Sequence, residues 1–182
     1  MTEVTTVYDR FTALAKRALV AARDAAASLG HDFIGSEHLL MGLAQTAGGA
    51  SEVLRVRGVE LDPLRAEVER QLAARGVAAT HGVAATNALA TLGIDVAEIR
   101  RRADASFGSG SFQFPQPAFS VPAKAAVKAS LESARDAGQE QIDTEHLLLG
   151  VLADENGGGA QALTALGVDV AALRSAVLRS GR

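Results

Sequence analysis

Apolar side chains in the first part of the chain recur at helical spacing. Between Thr12 and Gly30 they fall three, four and seven positions apart, which is the period of one face of an α-helix. Gly30 ends that run, and shorter apolar stretches follow as far as residue 75, separated by glycines. We therefore predict four helices in residues 10–75, with Thr12 capping the first and Ser36 the second.

The same pattern returns in residues 119–180. The string Ser36–Leu43, which reads Ser-Glu-His-Leu-Leu-Met-Gly-Leu, recurs as Thr144–Val151, which reads Thr-Glu-His-Leu-Leu-Leu-Gly-Val. Two copies of one supersecondary unit usually pack by pseudo-twofold symmetry around a shared core. The sequence predicts an all-α fold of two four-helix repeats, with Ser120 and Thr144 as the matching helix caps.

Residues 76–118 separate the two copies. Within them, residues 88–100 repeat the sequence of residues 162–174, including a Leu-Gly-x-Asp-Val-Ala core. We interpret residues 84–105 as an inserted helical hairpin. Residues 106–118 then form an irregular linker, with aromatic side chains available to pack down at Phe107, Phe112 and Phe114.

Amino-acid composition indicates how the core is built and excludes several classes of partner and chemistry. Aromatic residues are only 4% of the chain, so the core must be built from Ala, Leu and Val. A net charge of −3 gives no general attraction to nucleic acid or to an anionic membrane, and neither is expected as a partner. The chain has no cysteine, which excludes disulfides and thiol chemistry and is compatible with the cytoplasmic location that we expect.

No catalytic or cofactor motif stands out. A phosphate-binding P-loop needs a Gly-Lys dipeptide, which the sequence lacks, so we expect neither ATP binding nor another cofactor. No set of nucleophile, base and orienting residue can be assembled, and a non-enzymatic protein is predicted. His38 and His146 lack the company of other ligands, and we expect structural histidines rather than a metal site. His31 and His81 read as loop residues without a signal.

The repeated motif carries a family resemblance. Phe11-Thr12, a long helix, Gly30-His31 and then Gly-Ser-Glu-His-Leu-Leu at residues 35–40 resemble the Clp repeat domain at the amino terminus of ClpA/ClpC-type protein unfoldases. The likeness covers about two thirds of the chain. It implies a domain that docks substrates and adaptors for an ATPase. Since no ATPase motif is present, we expect a stand-alone domain, and nucleotide-driven work would belong to a partner.

The resemblance also implies a ligand and its residues. ClpC-type domains recognise phosphorylated arginine in client proteins, with one site per repeat. Carried onto this chain, Glu37 and Glu145 would bind the guanidinium, while Arg10 and Thr12, and Ser120 in the second copy, would lie near the phosphate. Carboxylates bind guanidinium groups well, and helix-start amides with a hydroxyl suit a phosphate.

A simpler interpretation of these residues stays open. Ser or Thr followed by Glu is what a helix start favours without any ligand. The second repeat also departs from the first, because Asp143 replaces the glycine before the motif and Ala118 stands where Arg10 stands. A carboxylate at position 143 should repel a phosphate, so we expect the first repeat to dominate binding.

Phe11 and Phe119 begin the two repeats, and pseudo-symmetry should bring them close together. In the resembling family this region is a hydrophobic docking surface that also binds cyclic peptide antibiotics, although core packing explains such residues equally well. We predict a binding module for marked or unfolded client proteins and peptides, for adaptors or for a Clp unfoldase. Two alternatives are a decoy that sequesters cyclic peptide antibiotics and a regulatory subunit that docks on an unfoldase.

Overall fold

The computed structural model describes residues 7–77, 91–93, 95–107 and 117–180. A 3₁₀ helix, Val7–Arg10, precedes the first repeat. The elements of that repeat are α1 (Ala13–Ser28), β1 (Phe33–Ile34), α2 (Ser36–Gln45), α3 (Gly49–Val56) and α4 (Leu61–Ala74). The following elements are α5 (Val96–Phe107), β2 (Ala118–Phe119), α6 (Val121–Asp136), α7 (Thr144–Val151), α8 (Gly158–Ala165) and α9 (Val170–Ser180).

The long helix of each repeat begins and ends as predicted. The hydroxyls of Thr12 and Ser120 accept hydrogen bonds from backbone amides in the first turns of α1 and α6. Gly30 and Gly138 follow these helices with φ of 75° and 69°, a left-handed conformation that glycine adopts without a steric cost. Matching caps therefore give α1 and α6 the same length.

The predicted caps of the second helix are wrong in both repeats. Gly35 caps α2 and Asp143 caps α7, so Ser36 and Thr144 are already the first helical residues. The reason is that both hydroxyls are needed elsewhere. Ser36 Oγ accepts a hydrogen bond from the Gly159 amide of α8, and Thr144 Oγ1 accepts one from the Ala50 amide of α3.

The two repeats exchange contacts reciprocally, which confirms the all-α, two-repeat fold. Within each repeat α1 packs on α2 and α6 packs on α7, while α8 crosses to α2 and α3 crosses to α7. The two-residue strands β1 and β2 pair in parallel, and Phe11 bridges to Ile142. These short pairings were not predicted, because two residues carry no sequence period. They place the start of each repeat beside the second helix of the other repeat.

One continuous core fills the space between the repeats. Alanines of α1 and α6 lie against leucines of α2 and α7, as the low aromatic content predicts. The helices approach closely at two glycines. A Cβ on Gly42 would lie 2.3 Å from the carbonyl oxygen of Ala18, and one on Gly150 would lie 2.1 Å from that of Ala126. Gly42 therefore lets the backbone of α2 contact that of α1, and Gly150 lets the backbone of α7 contact that of α6.

A hydrogen-bonded histidine pair closes the first repeat. The Gly35 amide donates to His38 Nδ1 at 2.9 Å, so the proton of the neutral ring is on Nε2, which lies 3.0 Å from His31 Nδ1. Burial and the neighbouring His31 lower the pKa of His38 to about 3. His38 is therefore the structural histidine that was expected. His31 is buried, which the sequence did not indicate.

The described part of the insert includes the helix α5, and exposed side chains on it include Ile99, Arg101 and Arg102. The amide of Glu98 donates to Asp95 Oδ1 at the start of α5, and the Glu98 carboxylate pairs with Arg101 and Arg102. Both arginines are exposed to solvent. Most of the first half of the predicted hairpin, His81, Phe112 and Phe114 lie outside the described residues. The division into residues 10–75, 76–118 and 119–180 stays a prediction.

Over the ranges that the structure describes, no single helix is long and apolar enough to cross a membrane. Only α8 and α9 together reach the necessary length and composition, and they are bent by 110° to one another.

Replacement of Gly42 by alanine should destabilise the protein by about 1–3 kcal/mol, since α1 must move away from the new methyl group. The sign of the change in the free energy of unfolding tests this prediction. Inside a helix without such a contact, the same change stabilises by about 1 kcal/mol. Urea unfolding followed by circular dichroism measures the difference, and a more stable G42A protein would contradict the close approach.

Acid should weaken the fold through His38. Its pKa is lowered in the folded state, so its contribution to stability is complete above the ordinary pKa of 6.5 and is lost as the pH falls toward 3. Between pH 7 and pH 5 this loss is about 2 kcal/mol. His38→Gln keeps an acceptor for the Gly35 amide and cannot titrate. The free energy of unfolding of H38Q should therefore fall less than that of the wild type over this range. Equal losses would contradict the assignment.

Candidate functional site

The carboxylate of Glu37 lies in a narrow space that two glycines create. Glu37 is in the first turn of α2 and is only 6% exposed. A Cβ on Gly35 would lie 2.2 Å from Glu37 Oε1, and a Cβ on Gly158 would lie 2.3 Å from Glu37 Oε2. Gly158 begins α8 of the second repeat. The position of this carboxylate therefore depends on both repeats.

The electrostatics of Glu37 are those of a carboxylate kept from water. Burial raises its pKa, and this effect outweighs the hydrogen bonds from its own amide and from Ser36 and the attraction of Arg75, all of which lower it. Arg75, just after α4, is exposed, and its guanidinium donates a hydrogen bond to Gln161 of α8. A buried anion with one nearby cation gains from a second cationic partner.

An open cavity of about 450 Å³ adjoins this carboxylate. We call it the Glu37 pocket, and its walls include Glu37, Arg75, Ser120, Asp154 and Gly158. The start of α6 contributes Ser120, so the pocket combines carboxylates, a guanidinium, a hydroxyl and the amino-terminal end of α2. This set suits a ligand that carries both signs of charge.

The predicted grouping of Glu37 with Arg10 and Thr12 is wrong. The guanidinium of Arg10 donates to the Glu140 carbonyl at 3.0 and 3.2 Å, and the Thr12 hydroxyl donates to Asp143 Oδ1 at 3.0 Å. Both partners belong to the second repeat. The parallel pairing of β1 with β2 explains the exchange, because it puts the start of α6 beside α2 and the start of α1 beside α7.

Glu145 occupies a different environment from Glu37. It is half-buried, and it accepts a hydrogen bond from the Thr144 hydroxyl at 2.8 Å. It lines a separate cavity of about 560 Å³ with Asp136, Arg174 and apolar side chains of α7 and α9. Neither Arg10 nor Thr12 lines that cavity. The two glutamates are equivalent in sequence and differ in their surroundings.

Several residues of the Glu37 pocket were missed from the sequence. Arg75 and Gln161 belong to helices that the helical period located but could not orient toward each other. The glycines at 48–49 and 157–159 were taken only as helix breaks. Their recurrence at the same place in both repeats was the available signal, since each group lies against the glutamate of the other repeat.

Phe11 and Phe119 do come together, as the pseudo-symmetry predicts. Both line a mostly apolar cavity of about 260 Å³, which we call the Phe cavity. Its other walls are Tyr8, Leu19, Lys124 and Val127. Phe11 is almost fully buried at 4% exposure, and Tyr8 is half exposed. This cavity combines core packing with an apolar opening at the surface.

His146 has the same structural role as His38. Its Nδ1 accepts a hydrogen bond from the Asp143 amide at 3.0 Å. Burial lowers the pKa of His146, while the nearby Glu145 and Asp143 carboxylates act in the opposite direction. Across the described ranges, no cluster of three or more histidine, aspartate or glutamate side chains has a geometry that could hold a metal ion.

Comparison with known proteins places this fold in a family. The model of the Clp repeat (R) N-terminal domain matches residues 10–82 and 118–180. The chloroplastic ATP-dependent Clp protease ATP-binding subunit ClpA homolog of Brassica napus is 32% identical over 177 residues. The chloroplastic chaperone protein ClpC1 of Oryza sativa subsp. japonica has the same identity over the same length. Each alignment covers 97% of this chain but only 16% of the relative.

A solved structure supports the architecture. The N-terminal domain of the ClpD chaperone from Arabidopsis thaliana superposes with a TM-score of 0.65 and 23% sequence identity, over 97% of both chains. The repeated motif, the reciprocal helix packing and these matches agree. The chain belongs to the family of Clp repeat N-terminal domains, the protein-interaction modules of Clp chaperone systems.

Proposed function

We propose that this domain captures client proteins that carry phosphorylated arginine, through the Glu37 pocket. The observation that carries the proposal is a buried carboxylate whose pKa is raised by burial, in a pocket that also contains an arginine. A phosphoarginine side chain joins a guanidinium to a phosphoryl group. It therefore presents a cation to Glu37 and an anion to Arg75 in one ligand.

The geometry supports a defined orientation of the ligand. The guanidinium would approach the Glu37 carboxylate from the pocket, because that carboxylate already fills the space between Gly35 and Gly158. The phosphoryl group would face Arg75, Ser120 and the start of α2, whose dipole favours an anion. Glycine at position 35 leaves this helix end without a side chain. An unmodified arginine would satisfy only the first of these two contacts.

The partners follow from the same reasoning. A domain that binds a marked side chain delivers clients to other components, and the relatives are named as chaperones and as ATP-binding subunits of a Clp protease. We propose that a Clp unfoldase or an adaptor is the second partner. The proposed action consists of binding alone and requires no cofactor.

The Phe cavity supports a second candidate function. Its lining is almost wholly apolar and joins residues from both repeats. Such a surface suits apolar peptide segments, including the cyclic peptide antibiotics that a decoy protein would sequester. This function needs Phe11 and Phe119 and does not need Glu37. Substitution of Phe119 and of Glu37 therefore separates the two.

Glu37→Gln should weaken phosphoarginine binding at least tenfold. Gln preserves the shape of the side chain and removes the charge, and a hydrogen bond between charged groups contributes about 1.5–3 kcal/mol. Glu145→Gln is the matched control in the other repeat and should have a smaller effect. Calorimetric titration of free phosphoarginine into the three proteins measures this. Equal affinities in all three would leave Glu37 as a helix-start acid only.

Arg75→Gln should remove the preference for the phosphorylated ligand. The affinity for phosphoarginine should fall at least tenfold, toward that for arginine, because the cation that faces the phosphoryl group is lost. Arg70→Gln is the control, since Arg70 is exposed on the same helix, pairs with Glu67 and lies outside the pocket. Titrations with both ligands decide the point. An unchanged ratio of affinities in R75Q would contradict the proposed orientation.

A further inference from the structure

The two repeats differ at the residue that caps the second helix. Gly35 caps α2 without a side chain, whereas Asp143 caps α7 with a carboxylate. Asp143 Oδ1 accepts a hydrogen bond from the Thr144 amide at 2.7 Å and another from the Thr12 hydroxyl at 3.0 Å. Thr12 corresponds to Ser120, the hydroxyl residue of the Glu37 pocket. The second repeat thus adds the Asp143 carboxylate at a helix start where the first repeat has only the Glu37 carboxylate, beside an open cavity.

We propose that Asp143 is a permanent internal anion that occupies the second phosphate position, so that the domain binds one phosphoarginine rather than two. This inference rests on the proposed function of the Glu37 pocket and adds a determinant of its stoichiometry. Occupation of the phosphate position differs from simple electrostatic repulsion of the phosphoryl group by Asp143. The carboxylate takes the hydroxyl and the helix-start amide that a phosphoryl group would need, in addition to opposing its charge.

The same substitution explains the different positions of the two glutamates. The Glu37 carboxylate lies in the space that a side chain at position 35 would need. A Cβ on Gly35 would be only 2.2 Å from Glu37 Oε1. Position 143 has a Cβ, so Glu145 cannot take the equivalent place. Glu145 keeps the contact with Gly49 that corresponds to the contact of Glu37 with Gly158, but it accepts a hydrogen bond from Thr144 and is more exposed than Glu37. One residue per repeat therefore determines both the phosphate position and the placement of the carboxylate.

The charged groups around Asp143 are consistent with a closed position. Arg10, the nearby cation of the first repeat, is held by the Glu140 carbonyl through two N–H groups. Glu145 and His146 lie on α7 itself. Burial lowers the pKa of His146, while the carboxylates of Glu145 and Asp143 act in the opposite direction. Thr12 is committed as a donor to Asp143. The groups that could have bound a phosphate are already bonded within the chain.

Calorimetric stoichiometry of free phosphoarginine tests the proposal. The wild type should bind one equivalent, and Asp143→Gly should bind two, because glycine recreates the cap of the first repeat. Asp143→Asn is the control that removes the charge and keeps the volume and the acceptor oxygen. If occupation is the cause, D143N should still bind one equivalent. Two equivalents in D143N would show repulsion alone and would overturn the internal-anion mechanism.

Further variants identify the second equivalent and protect the result against misfolding. The double variant D143G/E145Q should return to one equivalent, and D143G/E37Q should retain one tight equivalent that the second repeat supplies. Asp143→Ser keeps a capping hydroxyl, so it should also bind two equivalents if D143G fails to fold by circular dichroism. If the wild type binds one equivalent and folded D143G and D143S also bind only one, or if the wild type binds two, the proposal is overturned.

Failure of this inference is distinguishable from failure of the proposed function. One equivalent that depends on Glu37 in the wild type, without a gain in D143G, leaves the function standing and rejects the role of Asp143. No binding by the wild type with one equivalent in D143G rejects the Glu37 pocket and supports the role of Asp143. No binding by either protein rejects both.

Discussion

Two backbone hydrogen bonds between the repeats determine the arrangement of the rest of the structure. The Thr12 amide donates to the Ile142 carbonyl, and the Ser120 amide donates to the Ile34 carbonyl, each at 3.0 Å. The start of each long helix is thereby fixed beside the second helix of the other repeat. Neither repeat can form a complete site alone. The Glu37 pocket takes its acid from one repeat and its hydroxyl and α8 glycines from the other.

The cost of the Glu37 environment supports a functional interpretation. A carboxylate that loses its water and gains only partial compensation opposes folding, and its raised pKa records that cost. Stability alone would favour an apolar or a solvated side chain at this position. Glu145 of the second repeat is closer to a solvated side chain, because it is more exposed than Glu37. Perturbed carboxylates of this kind concentrate at binding sites. A near-symmetric frame thus contains one buried acid, Glu37, and one half-buried acid, Glu145.

Local signals explain where the predictions from the sequence were correct, and contacts that the local pattern does not show explain where they were wrong. Helix period, the Thr12 and Ser120 caps and the terminal glycines act within a few residues, and each was identified correctly. Ser36 and Thr144 have equally good local capping chemistry. They were assigned wrongly because α8 and α3 supply amide donors from more than ninety residues away. His31 was missed because its ring packs on Phe33 and pairs with His38, contacts that the helical period does not indicate.

The sequence by itself determined the repeat, the all-α class, the family and the candidate acids. Periodicity and motif identity are properties of the chain that need no coordinates. Only the tertiary structure decided which residues share a pocket, because the pseudo-twofold packing exchanges partners between repeats that look self-contained in sequence. It also showed that Asp143 is bonded to Thr12 rather than simply near the motif. Spacing along a chain specifies a helix face, whereas the partner of that face depends on how the helices pack.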